Sequence, residues 1–218
     1  MKIIKNLIDI FFPKLCIFCG AEGYLLCPDC RSTITLWGYH LESKGKYLDD
    51  LYFAADYNQF LVNFSIKKLK YNFLKDLAKD LAEIILDHFK ILGKPPDFQD
   101  FLIIPIPLHE KRLRQRGFNQ AEEIAKVLAE YFKIPLEKNV LFRKKDTLSQ
   151  TELKREQRIQ NVKDAFFVKN YQKIKNKNIL LVDDVLTTGA TMEEAAKTLK
   201  KAGAKKVVGV VLAKSFDF

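Results

Sequence analysis

The sequence predicts an α/β protein in which a parallel sheet is flanked by helices and preceded by a small cysteine-bearing module. Three observations predict it. From Phe101 onward, short apolar runs of strand character alternate with longer segments of helical periodicity, the order that builds a parallel sheet with helices on its faces. One apolar run, Ile179-Leu-Leu-Val182, passes directly into a turn of acids, threonines and one glycine, and then into a helix. All four cysteines of the 218-residue chain fall in two CxxC pairs near its start.

The elements follow in order. Residues 1–37 form one unit, a short helix and the cysteine pairs, and residues 50–218 form the α/β domain. Ile3, Ile4, Leu7, Ile8 and Phe11 fall on one helical face, so the first twelve residues read as a short amphipathic helix docked on the body. Asp9 and Pro13 interrupt that stretch, and no small-residue cleavage site follows it, which argues against a signal peptide. Leu51 to Tyr57 reads as a strand and Lys75 to Phe89 as an amphipathic helix ended by Gly93-Lys-Pro-Pro96. Phe101 to Ile106 is a buried strand, and Asn119 to Phe132 a helix. The polar stretch Asp146 to Gln160 is a loop or a partly helical excursion. Strand character returns at Asp164 to Val168 and at Ile179 to Val182. Thr191 to Ala202 is a helix closed by Gly203, and Val207 to Leu212 a last β-branched strand.

Composition narrows the class. Hydrophobic residues make up 48%, enough for a real core. Lys and Arg number 37 against 27 Asp and Glu, a net charge of +10. That balance suits polyanions such as nucleic acid or phosphorylated sugars, or simply a solvated lysine-rich surface. No apolar run is long enough to span a bilayer, and the cysteine usage suits a reducing compartment, so a cytoplasmic location is expected.

Cys16 and Cys19 are separated by seven residues from Cys27 and Cys30. A CxxC turn aims two thiolates at one ion, and two such turns complete a tetrahedron. With every position filled by cysteine, no coordination site is left for water, and the zinc ion this spacing predicts is structural. Lys14 and Arg31 can offset the thiolate charge. Pro13 and Gly20 disfavour the strand-to-helix context of a redox CxxC. His40 is a weaker ligand candidate, read instead as a surface histidine.

The turn after Val182 carries Asp183, Asp184, Thr187, Thr188, Gly189, Ala190 and Thr191. Ligands of parallel α/β sheets bind at the carboxyl ends of the strands. Two carboxylates there can accept hydrogen bonds from vicinal hydroxyls or hold a magnesium ion. Gly189 permits close backbone approach, and the N–H groups entering the helix form an anion pocket. One turn can grip a sugar's diol at one end and its phosphate at the other. Neither a P-loop nor a GxGxxG fingerprint is present. A second block, Ile104 to Glu122, places Lys111, Arg112, Arg114 and Arg116 after another strand. These four cations can neutralise a pyrophosphate or contact a nucleic-acid backbone. His109 is a candidate general base, with a structural role the better reading.

The run Val182-Asp-Asp-Val-Leu-Thr-Thr-Gly-Ala-Thr191 resembles the phosphoribosyl pyrophosphate (PRPP) motif of type I phosphoribosyltransferases. That resemblance implies a type I phosphoribosyltransferase-like sheet, with Asp183 and Asp184 on the ribose hydroxyls and residues 187–191 on the 5-phosphate. It also implies magnesium accompanying PRPP, and a loop at 146–160 that closes over the ligand. The paired CxxC knuckles, Lys68-Leu-Lys-Tyr71 and the Pro107-Leu-His to Arg116-Gly-Phe-Asn-Gln120 block together resemble the ComF family of late competence proteins. The family implies a zinc module on a phosphoribosyltransferase-type domain. It implies a role in natural transformation, in which incoming single-stranded DNA is handled with other competence proteins. The alternative it leaves open is an active phosphoribosyltransferase acting on an unidentified base or amine. All four cysteines are claimed by zinc, which leaves none as a glutaminase nucleophile.

Overall fold

The computed structural model describes residues 13–38, 40, 45–71, 74–93, 96–145 and 160–216. The expected amphipathic helix before Pro13 and most of the charged loop from Asp146 lie outside the described residues.

Four parallel strands form the central sheet: β1 (Asp50–Asp56), β2 (Phe101–Pro105), β5 (Asn178–Leu186) and β6 (Lys206–Lys214), in the order β1-β6-β5-β2. Leu180 pairs with Val208 on one side and Ile103 on the other. The run Ile179 to Val182 is fully buried, as a strand covered by helices on both faces must be. Neither edge of the sheet is bare. Trp37 N donates to the Ala54 carbonyl across β1, and Ile103 N donates to Pro135 O across β2. Both contacts occupy backbone groups that would otherwise template another chain.

Because side chains alternate along a strand, the sheet divides two cores. Leu180 and Val182 join Val208, Val210 and Leu212 on one face. Against it pack α2 (Phe60–Tyr71), α3 (Leu77–Ile91) and α5 (Gln120–Phe132). Ile179, Leu181 and Val211 face the other side, under α6 (Ala190–Lys201) and a two-stranded antiparallel ribbon, β3 (Leu141–Arg143) with β4 (Phe166–Val168).

Leu26 and Ile34 belong to the same apolar cluster as α3 and the sheet. The cysteine module, which carries the short helix α1 (Pro28–Ser32), thus packs continuously with the larger core. Its backbone is tied there by Asp80 of α3, whose Oδ2 accepts from Leu26 N at 2.8 Å and Leu25 N at 3.1 Å.

The structure adds elements that the sequence reading left unassigned. Helix α2 buries Val62, Ser65, Ile66 and Leu69, but Phe60 and Phe64 lie off that stripe and blur its period. Helix α4 (Glu110–Arg116) buries nothing, so it leaves no apolar signature. Strand β5 also runs four residues beyond Val182, which places Asp183 and Asp184 inside the pairing with β6.

Candidate functional site

Strand β5 carries the acid pair to the carboxyl edge of the sheet. Its ladder to β6 continues from Asp183 to Leu186, so two successive residues inside a strand both present carboxylates. Asp183 Oδ1 accepts from Asp184 N at 2.8 Å, which fixes the first carboxylate against the backbone. Gly189 then turns the chain with φ +78°, a left-handed conformation that an L side chain would strain. Helix α6 starts at Ala190 with no side-chain cap. Its first-turn acid, Glu193, is committed elsewhere, accepting from Tyr47 N and Leu48 N. The N–H groups of the first turn and the helix dipole make this end of α6 a place where an anion is favoured.

A cleft of about 220 Å³ opens above this turn. Asp183, Asp184, Thr187, Gly189 and Thr191 border it. Thr188 instead accepts from Ala190 N through its hydroxyl, supporting the turn from within, and Ala190 begins the helix.

Helix α4 divides the basic run. Arg112 and Arg116, one helical turn apart, border the cleft, whereas Lys111 and Arg114 do not. Arg114 pairs with Glu110 on an exposed face. The reason is the 3.6-residue period, which sends positions four apart to the same side. His109 caps α4, its Nδ1 accepting from Lys111 N. Gly117, at φ +76°, ends the helix.

The far wall contains groups that sequence reasoning left without a role. Lys70, on the last turn of α2, places its Nζ 2.6 Å from Asp184 Oδ2. Burial alone would lower the Lys70 pKa, but the Asp184 carboxylate more than offsets it and the net shift is upward. Burial likewise opposes ionisation of Asp184, yet Lys70 holds it below the usual carboxylate range. Asp183 loses that contest. Burial, with the Asp184 charge beside it, pushes its pKa to about 8. Near neutrality the cleft therefore holds one ionised and one protonated carboxyl. Arg116 stacks its guanidinium 5.8 Å from the Tyr71 ring centroid at the cleft margin.

Asn119 and Gln120 stand side by side with opposite fates. Asn119 Nδ2 donates to the Ile106 carbonyl and its Oδ1 accepts from Ala121 N, so its amide is spent on capping α5. Gln120 is 2% exposed, borders the cleft, and its Nε2 has no hydrogen-bond partner. A buried amide donor without a partner is costly, and here it lines the space a ligand would fill. Only the identity of a polar residue just after a cap could have drawn attention to Gln120. Lys70 had the Lys-Leu-Lys-Tyr motif as its signal.

The four cysteines form a second cluster. Every sulfur lies within 4.8 Å of the others, and Cys19 Sγ is 3.5 Å from Cys27 Sγ. A tetrahedral ion with sulfur ligands at about 2.3 Å sets its sulfurs about 3.8 Å apart, so the four fit a single soft cation. Burial opposes ionisation of Cys16, but backbone N–H groups of Cys19, Cys27 and Phe18 outweigh it and bring its pKa to about 6. His40 is not in the cluster; it lies 3.4 Å from Asp50 and stacks on Tyr52. Lys14 pairs with Asp76 and Arg31 with Asp87, so the two cations expected to offset thiolate charge instead dock the module on α3 and the chain just before it. The acid pair at the cleft is a poor match for a metal centre, because Asp184 already faces an ammonium.

The family model of the phosphoribosyl transferase domain matches residues 113–215. Competence protein F of Haemophilus influenzae is 30% identical over 202 residues, covering 88% of this chain and 81% of the relative. The DNA utilization protein YhgH of Escherichia coli K12 is 27% identical over 197 residues, with the same two coverages of 88% and 81%. Among solved structures, the glutamine PRPP amidotransferase of B. subtilis aligns over 63% of this chain and 25% of its own, at 20% identity and a TM-score of 0.38. Among the described residues no helix is long and apolar enough to cross a membrane.

Proposed function

The chain belongs to the ComF family, that of competence protein F, and we propose that it binds the ribose 5-phosphate group of PRPP, or of a related ligand, in the cleft above β5. The observation that carries this reading is the convergence of the acid pair and the N-terminal turn of α6 on one small cavity. Asp183 and Asp184 would accept from the ribose hydroxyls. Thr187, Gly189, Ala190 and Thr191 would surround the phosphate at the helix N-terminus, with Thr188 bracing the turn. Arg112 and Arg116 are placed to neutralise a pyrophosphate on the opposite side. Titration with PRPP, with and without magnesium, tests the reading. Wild-type protein should bind, and Asp183→Asn and Asp184→Asn should each weaken binding by roughly tenfold or more. Absence of wild-type binding removes the assignment.

In this reading the cysteine cluster holds a structural zinc ion, and the biological role is handling of single-stranded DNA during transformation. One feature favours direct DNA contact. The outer face of α2 carries Phe60, 72% exposed, stacked on Phe64 at 5.7 Å, with Lys68 above Phe64 and exposed Tyr71 under Arg116. Rings interleaved with cations suit unpaired bases and their phosphates. Affinity for a single strand should then fall steeply with salt, and a flat response would count against it.

The second reading, turnover, draws on Arg112 and Arg116, which could receive a departing pyrophosphate. Catalysis would be mainly positioning and charge stabilisation of an oxocarbenium-like state. Release of pyrophosphate across a panel of bases and amines distinguishes it from binding alone.

A further inference from the structure

The motif Lys68-Leu-Lys-Tyr71 contributes a charge to the cleft from an element outside the residues 113–215 that match the domain family. We propose that Lys70 is a tethered cation that stands where a divalent metal would otherwise sit at the acid pair, so that the cleft takes a ribose 5-phosphate with no metal bound to Asp183 or Asp184. This rests on the reading that the cleft binds such a ligand.

Three observations carry it. Lys70 Nζ is 2.6 Å from Asp184 Oδ2, and the two side chains are only 23% and 11% exposed, so solvent screens the pair weakly. Asp184 Oδ2 is closed to solvent, whereas magnesium needs near-octahedral oxygen ligands and usually keeps several waters. The charges also balance without an ion. The acid pair feels both Lys70 and Arg116, so at most two negative charges face two cations, and an added dication would find no net negative charge to neutralise. An ammonium has three N–H donors. One direction is engaged by Asp184, and the others can donate to a hydroxyl or phosphoester oxygen of the ligand. Any magnesium that enters with PRPP then belongs to its pyrophosphate.

The test uses zinc-loaded full-length protein and two probes. Manganese alone, followed by electron paramagnetic resonance, reports a metal at the acid pair. Wild type and Asp184→Asn should bind manganese equally. Lys70→Gln should gain one site, and Lys70→Gln with Asp184→Asn should lose it. Ribose 5-phosphate, followed by calorimetry, should bind wild type with the same affinity in magnesium and in EDTA. Lys70→Gln should bind roughly tenfold more weakly in EDTA, the loss of a charge-assisted contact, and recover with magnesium. Lys70→Arg keeps the cation and guards against a folding defect. It should bind ribose 5-phosphate in EDTA. A wild-type manganese site that Asp184→Asn abolishes overturns the proposal, as does a wild-type affinity that collapses in EDTA. If ribose 5-phosphate fails to bind under every condition, the functional reading falls, and the manganese series still decides whether Lys70 replaces a metal.

Discussion

The cysteine module and the cleft each gather a few polar groups at one place, yet they differ in how far those groups are satisfied. In the module, thiols converge on one point, Cys27 N donates to Cys16 Sγ, and Asp80 collects two backbone N–H groups. Salt bridges from Lys14 and Arg31 tie its rim to Asp76 and Asp87. In the cleft, by contrast, Gln120 has a buried donor with no partner, and Asp183 is pushed to a pKa of about 8. The first arrangement stabilises a fold. The second leaves polar potential open to a ligand, at a cost to the empty protein.

The largest expected effect would break that contrast from the module side. With the proposed zinc ion in the cluster, chelation should release one zinc per chain and lower Tm by roughly 10 °C or more, because structural zinc sites supply folding free energy directly. Metal analysis and a melting curve check both parts. Loss of zinc with an unchanged Tm would mean that the module is not stabilised by its metal.

Next in size is the docking contact. Asp80→Ala leaves Leu25 N and Leu26 N without their shared acceptor, and should cost about 3 kcal/mol, as expected for two hydrogen bonds to a charged group. Denaturant unfolding measures it. A value near zero would show the module is held by apolar packing alone.

The cleft should show the opposite sign with pH. The Asp183 pKa is raised from its ordinary 3.8 to about 8 by burial and the neighbouring Asp184 charge. Between those values the folded state holds a proton that the unfolded state has lost, so stability falls as pH rises through that window. Asp183→Asn should match wild type near pH 4 and melt higher than wild type near pH 8. Melting curves across the range test it, and parallel profiles for the two proteins would refute the assignment.

The smallest effect sharpens the comparison most. Gln120→Leu removes an unpartnered buried amide and should raise stability by about 1 kcal/mol, while ligand affinity drops. A variant that loses both would place Gln120 among structural residues, beside Asn119.

Much of this was legible in the chain itself. The alternation of apolar runs after Phe101 anticipated β2, α5, β5, α6 and β6 in order, because a buried strand and a one-sided helix each impose their own period. The cysteine spacing anticipated the sulfur cluster, since CxxC geometry is local. The acid pair could be placed near the carboxyl end of its strand because the two are contiguous, although β5 runs on through both acids to Leu186. Strand β4 was legible, but helices α2 and α4 and strand β3 were not: their apolar signal is short, or is shared with exposed aromatics such as Phe60.

What the sequence determined by itself were local things: the period of each element, the cysteine turns, and the acids and threonines strung along one turn. Only the tertiary structure decided which basic residues face that turn. Helical phase sent Arg112 and Arg116 inward and Arg114 outward, and packing of α2 on the sheet brought Lys70 to Asp184. It decided, too, that the amide of Asn119 is spent while that of Gln120 is not. Partnership between residues far apart in the chain depends on where burial puts them, and hydrophobic burial is non-directional: it specifies which faces go inside, but the partner across a cleft is settled only when the whole core has packed.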